Sequence, residues 1–384
     1  MRTEYQELID EVCALLGAPA TLEGRDFGLI AYGAHDSADE GTLDPVRTSS
    51  ILRRRSTAAV RQWFEGFGIA QARTPVRIPP EPAAGVFTGR LCLPVRHGGV
   101  CYGYIWLLDD GALALDDPRL AAAAATAERI GALLAEEHRA GARLGELLRA
   151  ALTASPAAAP GRVSALAEAL GPPAGGRLRL LAATGRPATR ELPAGLHGVL
   201  AACALPFAAA RPAAPDGRAN RRVVAVLARE TTARAVAGRL RAEGARVGIA
   251  GARPGLAELA EAWREALAAA RSAEAESGFR GVAEWDRLGA YRMLTALPAA
   301  RPDPAVRPLL REENHELART AEVFLDRAGH AGQAAAALGI HRQTLYYRLG
   351  RVERLTGLRL DEGEDRLLLH MSLKAARLAP PPAE

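Results

Sequence analysis

The chain has 384 residues, 49 Lys+Arg against 44 Asp+Glu and a formal net charge of +5, yet it contains one lysine only, Lys374. Chemistries that need a placed lysine are thereby excluded, since Lys374 sits in a Leu/Ala stretch near the C-terminus: a G-x-x-x-x-G-K-[ST] phosphate loop, a kinase strand lysine, or a Schiff base to pyridoxal phosphate. The length suggests two or three domains, and 5% aromatic content in an alanine-rich chain predicts helices packed closely through small side chains.

The four cysteines, Cys13, Cys92, Cys101 and Cys203, form no C-x-x-C pair, and the first residues are acidic where a secretion signal would be basic and then apolar. The expectation is a cytoplasmic protein with reduced thiols. The longest uncharged run, 192–210, holds Pro193, Gly195, His197, Gly198 and Pro206 among alanines, so no membrane segment is predicted. No metal-ligand spacing occurs, because His315-Glu316 lacks the second histidine of an H-E-x-x-H site, and no cofactor is expected.

The first predicted element is an amphipathic helix over 3–16 with Tyr5, Leu8, Ile9, Val12, Leu15 and Leu16 on one side. Strands follow at 27–32 and 75–78, then a hairpin of 91–96 and 100–108 turned at His97-Gly98-Gly99. Alternation along its second strand puts Tyr102, Tyr104 and Trp106 on one face, a candidate aromatic ligand pocket or simply the packing face of a sheet. The turn register sets Cys101 opposite Arg96 and Cys92 opposite Ile105, which argues against a disulfide. A helix from 118 to about 152 closes the unit, either as a dimer-forming connector that carries a signal out of it or, for its first half, as an amphipathic helix packed on its own domain. The order helix, antiparallel sheet, helix resembles a GAF-type α/β sensor domain, and LCLPVRHGGVCYGYIWLLDD is similar to the central hairpin of that family.

A Pro/Gly cluster at 155–161 marks a boundary. Beyond it the pattern reads strand 177–183, helix-like 192–204, strand 222–228, helix 231–243, strand 245–250, helix 255–276 and strand 279–285. That is an α+β domain with helices over one face of a mainly antiparallel sheet. Leu256, Leu259, Ala260, Trp263, Leu267 and Ala270 form the predicted buried stripe of the 255–276 helix. The segment VGIAGARPGLAELAEAWREALAAARSAEAESGFRGVAEWDRLG resembles the end of the central domain of PucR/CdaR-type regulators. That resemblance implies a ferredoxin-like, degenerate cyclase-like fold. No G-G-[DE]-[DE]-F motif is present to hold Mg²⁺ and substrate phosphates, so catalysis is not expected.

The Pro-rich stretch 298–310 reads as a linker to an all-α tail, 311–378. Within the tail a helix over 317–327 precedes a short alanine helix over 333–338. Gly339-Ile340 then makes a sharp turn, and a longer helix runs over 341–356. Three requirements of a helix-turn-helix coincide: Gly339 for positive φ, small Ala335 four residues earlier, and apolar Leu345 six residues later. Leu345, Leu349 and Val352 continue the buried stripe. Residues 341–359 carry five arginines against one glutamate, which concentrates positive charge on the last helix. Groove geometry gives base edges to His341, Arg342 and Gln343, with an arginine suited to guanine and a glutamine to adenine. Thr344, Tyr346, Tyr347, Arg348 and Arg351 are placed for phosphates.

The tail, with its H-R-x-T-L-x-Y-R-L core and following L-T-G-L-x-L, resembles the C-terminal DNA-binding domain of the PucR/CdaR family, and its core is similar to the helix-turn-helix of the nucleoid protein Fis. The expected organisation is multidomain α+β. A GAF-like sensor over 1–139 has a connector helix to about 152, a degenerate GGDEF-like (CdaR-type) domain covers 161–297, a linker covers 298–310, and the helix-turn-helix domain covers 311–378. The resemblance implies a ligand-responsive, sequence-specific transcriptional regulator that binds a palindromic double-stranded operator as a homodimer or higher oligomer, nucleoid-associated when on DNA. The partners it implies are that operator and a small-molecule effector. The alternatives are a nucleotide-binding or nucleotide-processing protein of cyclase-like ancestry and a ligand-sensing scaffold that does not bind DNA.

Overall fold

The computed structural model describes residues 2–33, 52, 58–82, 86–109, 111, 113–185, 198–206, 222–297 and 301–378. The chain divides into two compact units, Met1–Leu147 with Thr189–Ala202 and Leu148–Ala188 with Cys203–Glu384. The fold is mixed α+β, with two sheets and a helical C-terminal region.

In the first unit, α1 (Arg2–Leu16) precedes five antiparallel strands: β1 (Ala20–Gly24), β2 (Leu29–Tyr32), β3 (Val76–Ile78), β4 (Arg90–His97) and β5 (Val100–Leu108). Their order is β2-β1-β5-β4-β3. A short helix, α2 (Ala58–Glu65), lies between β2 and β3 in sequence, and α3 (Pro118–Thr153) follows β5. Ile9 and Val12 of α1 and Ala123, Ala127 and Ile130 of α3 share a core with Leu22, Leu93, Ile105 and Leu107. A second cluster joins Phe27, Phe64, Cys92, Cys101, Tyr104 and Trp106.

The hairpin departs from its expected register at one point. Val95 pairs with Gly103 and Arg96 with Cys101, so Tyr102 is an extra residue on β5. Arg96 therefore faces Cys101 as the turn predicts, but Cys92 faces Trp106, and Leu93 takes the place opposite Ile105. The bulge also reverses the alternation, which moves Cys101 onto the face of Tyr104 and Trp106. None of the four cysteines forms a disulfide.

The second unit carries α4 (Ala159–Leu170), β6 (Arg177–Thr184), the end of β7 (Val199–Pro206) from Cys203 on, β8 (Arg222–Arg229), α5 (Glu230–Ala242), β9 (Arg246–Ile249), β10 (Arg253–Pro254), α6 (Leu259–Ala275), β11 (Val282–Glu284) and α7 (Tyr291–Ala296). The strand order is β11-β9-β6-β8-β7, with β10 pairing β6; β11 runs parallel to β9, whereas β6 is antiparallel to β8, β9 and β10. The 192–204 stretch expected as helix-like is otherwise: its described part is β7, and residues 192–197 lie outside the described set. Gly248 of β9 lets α6 approach the sheet, because a Cβ there would lie 2.1 Å from Ala266 O and Ala270 N. Against it α6 buries Ala262, Ala266, Ala269 and Ala270, while Ala260 is exposed and Leu267 half-buried. Small-residue packing of this kind is what an alanine-rich, aromatic-poor chain can build.

The tail forms α8 (His315–Asp326), α9 (Ala331–Leu338), α10 (Arg342–Thr356) and α11 (Gly363–Leu378). Leu317, Ala321, Phe324, Ala334, Ala335, Leu345, Leu349, Val352, Leu369 and Leu373 make its core. Val306 and Leu309, in the stretch expected as linker, are fully buried in that same core. Val306 and Leu309 are therefore part of the helical packing.

Candidate nucleic-acid interface

Gly339 ends α9 with φ +66°, in the left-handed region that glycine enters at least cost. Its amide and that of Ile340 bond to Ala336 O at 3.2 Å and Ala335 O at 3.1 Å, so the sharp turn leaves these donors satisfied. α10 then starts on His341, whose backbone is extended and whose Nδ1 accepts from the Gln343 amide at 3.3 Å. This histidine is an N-cap, a role distinct from the base contact its position suggested. Gly357, with φ +70°, closes the helix at the other end.

The expected core is assembled as the spacing requires. Ala335, Leu345, Leu349 and Val352 are buried, and Ile340 is half-buried against the same cluster. The opposite side of α10 exposes Arg342, Gln343, Thr344, Tyr346, Tyr347, Arg351 and Arg354. Tyr346 and Tyr347 are 53% and 64% exposed, unusual for aromatic side chains that have no outside partner to cover. The Arg342 guanidinium lies 5.7 Å from the Tyr346 ring centroid and donates to its hydroxyl at 3.2 Å. Its planar donor fork is thus held at the N-terminal end of the helix.

Arg348 does not join this exposed set. It pairs with Glu316 Oε2 at 2.8 Å and donates to Thr320 Oγ1 at 3.4 Å, which ties α10 to α8. A helix 15 residues long is about 22 Å from end to end, sufficient to lie along a major groove.

The aromatic trio of the first unit is only partly brought together. Tyr104 and Trp106 are buried with ring centroids 5.7 Å apart, and both contact Phe27. The bulged Tyr102 instead meets His138 edge-on at 5.9 Å. Burial pushes the Cys92 and Tyr104 pKa values up, so both groups are neutral core members near neutral pH.

In the second unit a cleft of about 500 Å³ is lined by Arg177, Arg179, Arg253, Glu230, Glu265 and Asp286 among others. Its arginines are largely committed to its own carboxylates: Arg177 to Glu230 at 2.6 Å, Arg179 to Asp286 at 3.1 Å and Arg253 to Glu265 at 2.8 Å. Among the described residues no cluster of three or more His, Cys, Asp or Glu side chains could hold a metal ion. No described helix is long and apolar enough to cross a membrane.

The turn, the cap and the exposed basic face define a helix-turn-helix of the DNA-binding class. Residues 317–375 match the PucR C-terminal helix-turn-helix domain. The chain is 42% identical over 72 residues to the Carbohydrate diacid regulator of Escherichia coli, which is 18% of this chain and 19% of that protein. It is 28% identical over 108 residues to the DNA-binding transcriptional activator AdeR of Bacillus subtilis, 27% of this chain and 24% of that one. The likeness therefore spans a quarter or less of each of these curated relatives. A solved regulator of polyketide synthase expression from Bifidobacterium adolescentis is 21% identical, covering 61% of this chain and 92% of that chain, with a TM-score of 0.27.

Proposed function

We propose that the protein is a sequence-specific DNA-binding transcriptional regulator that acts without catalysis. The observation that carries this reading is the recognition helix itself: α10 is locked from below by Leu345, Leu349 and Val352 and presents Arg342, Gln343, Tyr346, Tyr347 and Arg351 together. Arg342 and Gln343 read base edges, with His341 at their side mainly as the cap. Thr344, Tyr346, Tyr347 and Arg351 take phosphates. Two copies bind a symmetric operator as a homodimer, and the protein works in the cytoplasm.

The first unit is the sensor in this reading. The family resemblance of its hairpin and the five-stranded sheet between helical and aromatic clusters support a GAF-like assignment, with a small-molecule effector bound near Tyr104 and Trp106. The middle lobe, 161–297, is a degenerate cyclase-like, ferredoxin-like domain, supported by helices α5 and α6 on a mainly antiparallel sheet. Selection of bound sequences from random duplex DNA tests the reading. A symmetric consensus supports it, and recovery of unselected DNA refutes it.

A further inference from the structure

The last helix, α11, has one face in the helix-turn-helix core and another against the α+β lobe. Leu369 and Leu373 pack in the tail, whereas Leu378 and Met371 join Ala273, Tyr291 and Leu294 of the lobe. Polar contacts concentrate at the same junction. Arg377 donates to Glu276 Oε2 of the lobe at 2.7 Å and, with its other terminal nitrogen, to Glu322 of α8. The Tyr291 hydroxyl donates to Glu276 at 3.0 Å. Lys374, the single lysine of the chain, bonds Asp326 at 3.0 Å and sits 5.5 Å from the Tyr291 ring centroid.

We propose that α11 is a clasp, centred on Arg377 between Glu276 and Glu322, that fixes the recognition helix relative to the α+β lobe and so sets the spacing of two recognition helices on an operator. Arginine suits the position because one planar fork can bond two carboxylates on different elements at once, which a lysine ammonium does with less directional constraint. Only some of the junction is apolar and its centre is a set of charge-assisted bonds, a composition that permits opening. A fixed lobe-to-helix geometry lowers the ordering cost of engaging both half-sites together and leaves the contacts within one half-site untouched.

This inference rests on the DNA-binding reading above, and the test separates the two. Glu276→Gln and Tyr291→Phe change only the lobe side of the clasp, so neither removes a side chain that faces DNA. In the full chain, amide exchange of α11 is measured beside the affinity for a selected two-half-site operator and for a single half-site duplex. Faster exchange in α11, a loss of roughly fivefold or more on the full operator, and unchanged half-site affinity support the clasp. Arg377→Lys should fall between wild type and Glu276→Gln. Full-operator affinity that is unchanged or raised in both variants overturns the proposal, as does an equal loss on the half-site. If the wild-type chain selects no DNA, the regulator reading fails first, and the exchange data then report on the junction alone.

Discussion

The guanidinium of Arg348 is turned back onto Glu316 at 2.8 Å, so a basic residue on the recognition helix serves to attach that helix to α8. The side chain of Arg348 is 25% exposed and that of Glu316 67%, a partly screened pair. Arg348→Ala should therefore lower the stability of the tail by ~0.5–1 kcal/mol, read by chemical denaturation. It should change DNA affinity less than Arg351→Ala does. Arg351 is exposed, and its loss should weaken all sequences alike and reduce the salt slope by about 1.

Gly339 has open space around a hypothetical Cβ, with nothing within 4 Å, so substitutions there meet a backbone cost alone. Gly339→Ala should destabilise the tail by ~1–2 kcal/mol, and Gly339→Asn by less, since asparagine enters the left-handed region more readily. Equal costs for the two would mean that side-chain contact, rather than φ, decides the position.

Capping and DNA contact can be separated at His341. His341→Ala should cost ~1 kcal/mol of stability through loss of the bond to the Gln343 amide. His341→Asp supplies a better cap and should restore stability, yet it brings a carboxylate to the end of α10 proposed to face DNA. Its operator affinity should fall below that of His341→Ala. Thermal melts and binding isotherms of the three proteins check both halves.

Glu322 gives a pH dependence with a definite sign. Its pKa is raised by burial, opposed by Arg377 and Lys374, and its Oε1 is buried with no hydrogen-bond partner. The folded protein holds this proton more tightly than the unfolded chain, so the associated stability is present at low pH and is lost as pH rises through the raised value. Glu322→Gln should therefore gain stability relative to wild type as pH rises above the ordinary glutamate range and lose that advantage below it. Denaturation midpoints across pH 3.5–7, about the span where a perturbed glutamate titrates, give the comparison.

How legible each part was in the sequence follows the range of the interactions that decide it. The helix-turn-helix is set by residues within six positions of Gly339, and its buried side chains fall where the spacing puts them. β7 reads as helix because its alanines and leucines favour one, but hydrogen bonding at the sheet edge overrides that propensity. β1 alternates apolar and polar over only Ala20, Thr21, Leu22 and Glu23, too short a run to stand out, and the fold buries Thr21 and Glu23 with the rest. Pro160 falls in a cluster that reads as a break, yet it occupies the first turn of α4, where its missing amide costs nothing. The bulge at Tyr102 depends on pairing with β4, and no local pattern announces it.

Long-range charge pairs were the least visible. Arg348 has the spacing of an exposed residue, and only the packed position of Glu316 draws it inward. Arg377 bridges partners 101 and 55 residues away. Lys374 is conspicuous in the sequence as a solitary lysine, but its place against Asp326 and Tyr291 emerges only when the tail folds beside the lobe. Composition excluded chemistries at that residue without showing what it does.

Base reading by α10 is measured through the affinity and base preference of Arg342→Ala on a set of single-base variants of the selected operator at fixed salt. If α10 is the reading element, the substitution costs ~1–3 kcal/mol and relaxes preference at one position per half-site. Wild-type binding should itself fall with salt at a log–log slope of about −7 for a dimer neutralising roughly eight phosphates. Unchanged affinity and unchanged preference in Arg342→Ala would show that α10 does not read the operator through Arg342.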